Sequence, residues 1–263
     1  MHAIKVNGLA FHVETTGEAG APALVLANSL GTDLRVWDAV LPLLPAGLRV
    51  IRYDKRGHGL SDGAPGPWRI EDLADDLAGI LDALGVAGAA VVGLSVGGLI
   101  AQSLAARRPD LVRVLVLSGT AARIGTEASW NERIGVVSRQ GIGALADRIL
   151  QLWFSPRFRD ADPGFPLWRN MLLRSPLDGY VATCGAIRDA DLTADTRGLR
   201  LPTLAMVGEL DGSTPPDLVR ATAALIPGAR LEVIPGAGHI PGVERPDVVA
   251  GLIAGFLWET GHV

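Results

Sequence analysis

The sequence predicts an α/β fold in which a mostly parallel central sheet carries helices on both faces and accepts one helical insertion. Short β-branched runs alternate with segments of helical periodicity, which is the pattern of parallel strands joined by helices. The run at residues 89–94 is continuously apolar, as expected of a strand buried on both faces. The alternation stops at residue 121 and resumes after residue 197.

The predicted elements follow one another in a regular order. Short apolar or β-branched runs predict strands at residues 3–6, 9–15, 23–27, 49–54, 89–94, 112–117, 203–207 and 230–234. Apolar residues at helical spacing predict helices at residues 34–44, 71–84, 96–107, 216–226 and 245–259. Residues 121–197 contain helical segments and loops, rich in arginine and tryptophan, without a convincing strand.

This break divides the predicted fold into two parts. The core is formed by residues 1–120 and 198–263, and residues 121–197 form a helical cap inserted into it. A length of 263 residues fits one core with a sizeable insertion better than two full domains. An extra helical layer without a functional role is the alternative interpretation of the insertion.

Charge and hydropathy argue against two classes of partner. A net charge of −4 offers no basic face to a nucleic acid. The uncharged stretch at residues 85–106 has the length of a membrane span, but glycines, Ser95 and Gln102 interrupt it, and it splits into a strand, a turn and a helix. Because the N-terminus lacks the apolar segment of a signal peptide, we expect a cytoplasmic protein. With a nucleic acid and a membrane disfavoured, the expected partner is a small-molecule substrate. The oligomeric state is left open.

The single cysteine, Cys184, allows neither an internal disulfide nor a cysteine-based metal cluster. A small buried residue is the preferred interpretation of Cys184, because free cysteines are among the most buried residue types. A reactive thiol is the alternative.

Residues 93–97 read Gly-Leu-Ser-Val-Gly and match the pattern G-x-S-x-G. The pentapeptide alone is common, but here it follows an apolar strand and opens a predicted helix, which is the setting of a nucleophile elbow. The turn would hold Ser95 at its apex, where the helix N-terminus favours developing negative charge. A phosphate-binding turn is disfavoured, because no lysine lies nearby and the G-x-G-x-x-G spacing is missing.

A serine hydroxyl needs a base to take its proton, and the sequence offers five histidines. Only two of them follow predicted strands, and loops after parallel strands gather at the edge that carries the elbow. These two are His58 and His239. The chain order Ser–Asp–His of such triads selects His239 as the base and leaves His58 as a structural residue.

The base in turn needs an acid that fixes its tautomer and stabilises its cation. Asp211 directly follows the strand predicted at residues 203–207, and Glu209 is the competing carboxylate. Asp211 is preferred because the turn at residues 212–215, Gly-Ser-Thr-Pro, can aim its carboxylate inward. A simple turn former is the alternative role for Asp211.

Acyl transfer also needs hydrogen-bond donors for an oxyanion. One donor is expected to be the backbone N–H of Val96, the residue after the nucleophile. The other is assigned to the N–H of Leu30, in the loop Asn-Ser-Leu-Gly-Thr that follows the strand at residues 23–27.

At this point the chain resembles the α/β-hydrolase superfamily over its full length, and it resembles the 3-oxoadipate enol-lactonases most closely. The residues that carry this match lie at positions 28–33, 53–61, 93–98, 119–124, 211–215 and 236–241. Most of the superfamily has His-Gly in the oxyanion loop, whereas Asn28-Ser29 here is similar to the lactonase branch. The elbow and histidine motifs are common to the superfamily and say little about substrate.

The resemblance implies hydrolysis of 3-oxoadipate enol-lactone to 3-oxoadipate in aromatic catabolism (the β-ketoadipate pathway), without a metal or organic cofactor. Some relatives are fused to a decarboxylase for the preceding step. We expect no such domain here, because the chain ends just after the last predicted helix.

The free carboxylate of such a substrate should meet a cation, preferably a bidentate arginine. The predicted cap offers Arg133, Arg139, Arg148, Arg157 and Arg188. Arg133, which lies close to Trp130 in the chain, is the preferred candidate. Trp130, Trp153 and Trp168 are candidate pocket residues, although a packing role is equally compatible with each of them.

Two other functions remain open at this stage. The nearer one is another carboxylester hydrolase or a cofactor-free haloperoxidase-like perhydrolase with the same triad. The more distant one is a non-catalytic ligand receptor on a hydrolase scaffold. Dehalogenases and epoxide hydrolases are disfavoured, because they use an aspartate where this chain has Ser95.

Overall fold

The central sheet of the computed structural model, which describes residues 2–263, has eight strands in the order β1-β2-β4-β3-β5-β6-β7-β8. The strands are β1 His2–Val6, β2 Leu9–Thr16, β3 Ala23–Ala27, β4 Arg49–Tyr53, β5 Ala89–Leu94, β6 Val112–Ser118, β7 Thr203–Gly208 and β8 Arg230–Ile234. The pairs β1–β2 and β2–β4 are antiparallel, and all other neighbours are parallel. The predicted mostly parallel sheet is confirmed.

Among the described residues, five α-helices belong to the sheet region. They are α1 Ile70–Ala83, α2 Val96–Arg107, α9 Pro216–Ala223, α10 Pro241–Glu244 and α11 Pro246–Glu259. Helix α1 buries Ile70, Leu73, Leu77 and Ile80, which recur at the spacing of one helical face. Every residue of β5 is buried, as its continuous apolar sequence predicts. Helix α2 packs against α1, β5 and β6, so the turn between β5 and α2 is held from several sides.

The chain between β6 and β7 contains helices and no strand among the described residues. The helices are α3 Glu127–Gln140, α4 Ala146–Trp153, α5 Pro156–Ala161, α6 Phe165–Leu173, α7 Leu177–Asp189 and α8 Thr193–Gly198. We call the connection at residues 119–202 the helical insertion. Helix α3 packs against α7, and four aromatic rings cluster beside α4: Phe154, Phe158, Phe165 and Trp168. The division into a core and a separate cap stays a prediction.

The helix predicted at residues 34–44 is wrong. Two 3₁₀ turns replace it, at Leu34–Trp37 and Leu41–Leu43. Pro42 has no N–H to continue an α-helical ladder, which explains why the apolar periodicity was not sufficient here. Helix α9 also ends three residues before the predicted position at 226, because the N–H groups of Leu225 and Ile226 bond three residues back in 3₁₀ fashion.

No helix among residues 2–263 combines the length and the apolar character that crossing a bilayer would require.

Candidate active site

Ser95 lies in the turn between β5 and α2 with a backbone φ of +57° and ψ of −118°. This conformation is strained for a residue with a side chain, and strain of this kind is typical of functional turns. Two glycines allow the turn to close: a Cβ on Gly93 would lie 2.4 Å from the Gly97 carbonyl oxygen, and one on Gly97 would lie 2.4 Å from the Ala27 carbonyl oxygen. The strand–turn–helix setting expected for Ser95 is therefore present.

His239 and Asp211 meet at the same end of the sheet, after β8 and β7 respectively. The Nδ1 atom of His239 is 2.9 Å from Oδ2 and 3.0 Å from Oδ1 of Asp211, and both side chains are buried. A neutral imidazole that donates its Nδ1–H to this carboxylate keeps Nε2 free as a base. The competing carboxylate of Glu209 is exposed and accepts a hydrogen bond from the Gly236 N–H instead.

The Asp211 carboxylate is fixed by the turn that follows it. Its Oδ1 accepts hydrogen bonds from the N–H groups of Ser213 and Thr214, both at 2.8 Å, and its Oδ2 accepts one from Thr214 Oγ1 at 2.8 Å. These bonds leave the carboxylate in one orientation toward His239. They explain physically why the Gly-Ser-Thr-Pro turn favours Asp211 over Glu209 as the partner of His239.

The end of α4 in the helical insertion is bonded to both loops that carry these residues. The N–H of His239 donates to the Trp153 carbonyl at 2.8 Å, and the N–H of Gly212 donates to the Leu152 carbonyl at 3.3 Å. Glu244 also links the loop of His239 to the insertion, because its carboxylate accepts hydrogen bonds from the Gly238 N–H at 2.7 Å and from the hydroxyl of Ser155. No sequence motif pointed to the contacts that α4 and Ser155 make with these loops, since each of them joins residues more than fifty positions apart in the chain.

Ser95 and His239 line one cavity of about 310 Å³. Within residues 2–263 no hydrogen bond joins the Ser95 hydroxyl to His239. Such bonds are often long in enzymes without substrate and shorten when the reacting group arrives. The two side chains thus share a cavity in which an acyl group could lie against both of them.

Of the two expected oxyanion donors, Leu30 lines this cavity and Val96 is the residue directly after Ser95, at the start of α2. Neither N–H has a hydrogen-bond partner within the described part of the chain. Both groups are therefore available to a ligand, and their role as an oxyanion hole stays a prediction.

His58 lies behind the loop that contains Leu30 and does not line the cavity. Its Nε2 accepts a hydrogen bond from the Gly31 N–H at 3.1 Å, and its Nδ1 lies 3.3 Å from the Arg56 carbonyl oxygen. Burial, aided by the nearby charge of Lys55, holds the pKa of His58 well below its ordinary value. A neutral His58 supports the loop, in keeping with the structural role expected for it.

All three side chains predicted to bind substrate, Trp130, Arg133 and Trp153, line the cavity. The Arg133 guanidinium lies 4.8 Å from the centre of the Trp130 ring, and among residues 2–263 no carboxylate lies within 4.0 Å of it. Arg148 also lines the cavity, with Nη1 3.9 Å from Glu132 Oε1.

The other candidates lie elsewhere. Arg139, Arg157 and Arg188 do not line the cavity. Trp168 is not a pocket residue there either, because its ring packs against Phe154 at a centroid distance of 5.9 Å. Of the two roles left open for Trp168, the structure supports packing, in the aromatic cluster of the insertion, and not the lining of this cavity.

Tyr180 of α7 is a cavity residue that sequence reasoning missed. Its side chain is buried, and its hydroxyl lies near the Arg133 guanidinium without a hydrogen bond of normal geometry to any group among residues 2–263. Burial raises the pKa of this phenol, so it remains a neutral donor. No motif surrounds Tyr180, and only the packing of α7 over the core brings it to the site.

Cys184 is fully buried, as expected, and burial raises the pKa of its thiol to about 12. A thiol with this pKa stays protonated and unreactive. Across residues 2–263 the histidine, cysteine and acidic side chains form no group of three that could hold a metal ion.

Comparison with known proteins places these features in a family. A family model described as the alpha/beta hydrolase family matches residues 24–252. The chain is 34% identical over 244 residues to 3-oxoadipate enol-lactonase 2 of Acinetobacter baylyi, covering 92% of this chain and 91% of that protein.

Solved structures agree with this relationship. The enol-lactonase from Burkholderia xenovorans superposes with a TM-score of 0.94 at 38% identity, covering 97% of this chain and 99% of that one. A thermophilic esterase from Thermogutta terrifontis, solved with malate bound, superposes with a TM-score of 0.91 at 30% identity over 100% of both chains. The extent of these matches, together with the strand–turn–helix that carries Ser95, shows that the chain belongs to the alpha/beta hydrolase family.

Proposed function

We propose that this chain hydrolyses 3-oxoadipate enol-lactone to 3-oxoadipate through an acyl-enzyme on Ser95. The observation that carries the substrate assignment is the unpaired guanidinium of Arg133 in the cavity shared by Ser95 and His239. A lactone with a free carboxylate needs such a cation, whereas a neutral ester does not. The enol-lactonase relatives, at 34% and 38% identity, support the same substrate.

In the acylation step the Ser95 hydroxyl attacks the lactone carbonyl while His239 Nε2 takes its proton. Asp211 holds the imidazole in the required tautomer and stabilises its cation. The N–H groups of Leu30 and Val96 bind the oxyanion of the tetrahedral intermediate. The bond from the carbonyl carbon to the ring oxygen then breaks, and His239 returns the proton to the departing enol oxygen.

In the deacylation step the leaving group is still attached to the acyl chain, because the substrate is a ring. Conversion of the enol to its ketone would remove the nucleophile that could close the ring again. Water, deprotonated by His239, attacks the ester carbon, and the bond to Ser95 Oγ breaks as that oxygen recovers a proton. The product is the open dicarboxylic keto acid.

The substrate carboxylate is assigned to the insertion side of the cavity. Arg133 is held over the face of Trp130 by a cation–π contact, which limits the conformations of its long side chain. The unpartnered hydroxyl of Tyr180 lines the same cavity and offers a further donor. An anion bound there would complete the hydrogen bonding of groups that the protein itself leaves open.

The test is a spectrophotometric assay of enol-lactone loss, with wild type, Ser95→Ala and Ser138→Ala measured side by side. Ser138→Ala is the matched control, because Ser138 is an exposed serine of α3 that does not line the cavity. We expect rapid loss with wild type and Ser138→Ala, and a kcat about 10⁵-fold lower with Ser95→Ala. Wild-type activity no faster than the uncatalysed rate would contradict the proposed substrate.

A second candidate is hydrolysis of simple carboxylic esters. Glu132 lines the cavity beside Arg148, so part of the positive charge at the insertion side is balanced there. The resemblance to the thermophilic esterase supports this alternative. A kcat/KM for p-nitrophenyl acetate above that for the enol-lactone would favour it over the lactonase assignment.

A further inference from the structure

The two proposed oxyanion donors belong to peptide units whose carbonyl groups are also engaged. A trans peptide directs its N–H and its C=O in opposite directions, so a donor bound to the carbonyl oxygen lies behind the N–H. The Leu30 N–H shares its peptide with the Ser29 carbonyl, and the Val96 N–H shares its peptide with the Ser95 carbonyl. What binds these two carbonyl oxygens therefore affects both N–H groups.

The Ser29 carbonyl oxygen accepts its shortest hydrogen bond from a buried lysine, and longer ones from Thr32 Oγ1 at 3.0 Å and the Thr32 N–H at 3.4 Å. Lys55 Nζ lies 2.5 Å from it, 3.3 Å from Asn28 Oδ1 and 3.3 Å from the Thr32 carbonyl oxygen. Lys55 is 1% exposed, and within residues 2–263 none of its hydrogen-bond acceptors is a carboxylate. A buried ammonium without a paired carboxylate is costly, and here its shortest contact is made with the oxyanion loop.

The Ser95 carbonyl oxygen is bound by a hydroxyl. Thr120 Oγ1 donates to it at 2.7 Å, and the Gly98 N–H donates to it at 2.8 Å. The approach of Thr120 requires glycine at position 98, because a Cβ there would lie 2.4 Å from Thr120 Cγ2. Thr120 is fully buried, so this hydrogen bond is shielded from water.

We propose that Lys55 and Thr120 are positioning residues that polarise the two oxyanion-binding peptides from their carbonyl side. The proposal rests on the function proposed above, because it assumes that Leu30 and Val96 N–H bind the oxyanion. A donor on the carbonyl oxygen withdraws electron density from the peptide, and the N–H on the other side becomes a stronger donor. The effect grows as negative charge develops on the substrate, so it stabilises the transition state more than the bound substrate.

Lys55 and Thr120 are expected to polarise their peptides to different extents. Lys55 brings a full charge, whereas the Thr120 hydroxyl brings only a dipole. The charge of Lys55 is also conditional, since burial lowers its pKa to about 7 despite the opposing influence of Asp54 and Asp33. His58, the other titratable group facing Lys55, stays neutral over this range because its own pKa is held well below its ordinary value.

The experiment measures p-nitrophenyl acetate hydrolysis by wild type, Lys55→Met and Thr120→Val, with inhibition by phenylboronic acid as a mimic of the tetrahedral intermediate. Below pH 7, where Lys55 carries its charge, we expect kcat to fall about 10- to 100-fold in Lys55→Met, less than the loss of a whole oxyanion donor. In Thr120→Val we expect a fall of about two- to fivefold. KM should change little, and the inhibition constant of phenylboronic acid should rise by the factor that kcat falls.

The pH dependence of kcat distinguishes polarisation of the peptide by Lys55 from structural support of the loop by the same residue. Wild-type kcat should decline as pH rises through about 7, because Lys55 loses its charge, and this decline should be missing in Lys55→Met. Profiles of the same shape in both proteins, or an unchanged inhibition constant in Thr120→Val, would overturn the proposal. Thr120→Val keeps the test decisive if Lys55→Met does not fold.

The proposed substrate is tested separately. Failure on the enol-lactone with normal ester cleavage would contradict the lactonase assignment only. Lack of any Ser95-dependent cleavage or boronate binding by wild type would contradict both proposals.

Discussion

The two sides of the cavity differ in how their polar groups are satisfied. On the side of the sheet, the Asp211 carboxylate accepts three hydrogen bonds from Ser213 and Thr214 in addition to its contact with His239. On the side of the insertion, Arg133 has no carboxylate partner and the hydroxyl of Tyr180 has no partner within the described residues. Groups whose bonds are complete are pre-organised for a reaction, whereas groups left open are available to bind substrate.

Asp211→Asn should have the largest effect, because it disturbs the pre-organised side. An amide can present its NH₂ to His239 and favour the wrong imidazole tautomer, so we expect kcat to fall about 10⁴-fold for every substrate. The comparison of enol-lactone and p-nitrophenyl acetate turnover checks this. A loss confined to one substrate would mean that Asp211 serves binding, and that the division between the two sides does not hold.

Arg133→Met should act selectively, because it changes the open side. We expect kcat/KM for the enol-lactone to fall about 10- to 100-fold, the value of a charge-assisted hydrogen bond, with little change for p-nitrophenyl acetate. Arg139→Met is the matched control, since Arg139 lies on the same helix outside the cavity. Equal losses with both substrates, or with both variants, would argue against a carboxylate site at Arg133.

Tyr180→Phe should have the smallest effect and would sharpen the comparison. Removal of one neutral donor should raise KM for the enol-lactone about three- to tenfold and leave kcat nearly unchanged. Because the hydroxyl is buried without a partner, its removal should not lower the thermal unfolding temperature. A clear loss of stability would show that the hydroxyl serves packing of α7 instead of substrate binding.

The same division explains what could be predicted from the sequence. The strands, the elbow at Ser95 and the order of Asp211 and His239 follow from local patterns and from the gathering of loops at one sheet edge. The contribution of Tyr180 depends on how α7 packs over the core, which no local pattern records. From the sequence, Arg133 could be preferred among five arginines as the residue that binds the substrate carboxylate. Nothing in the sequence distinguishes it from Arg148, which also lines the cavity.

Local patterns also gave a wrong prediction where a single proline changes the hydrogen bonds that the backbone can form. The apolar spacing at residues 34–44 predicts a helix, yet Pro42 removes a donor and the segment forms two 3₁₀ turns. Lys55 shows the opposite difficulty. Lys55 lies in the motif at residues 53–61, which is visible in the sequence. Its contact with the Ser29 carbonyl is visible only in the structure, where the loops after β3 and β4 meet.

The contacts at the end of α4 bear on how this protein could be recombined with its relatives. The Trp153 and Leu152 carbonyls accept hydrogen bonds from the loops of His239 and Asp211, and Ser155 is bound by Glu244. Residues 152–155 therefore belong to the insertion in chain order, but their contacts tie them to the loops of the proposed reaction centre. A chimera that exchanges the whole insertion would place foreign residues against the loops that carry Asp211 and His239, so crossover points that retain residues 152–155 with their native loops are the ones that should preserve turnover.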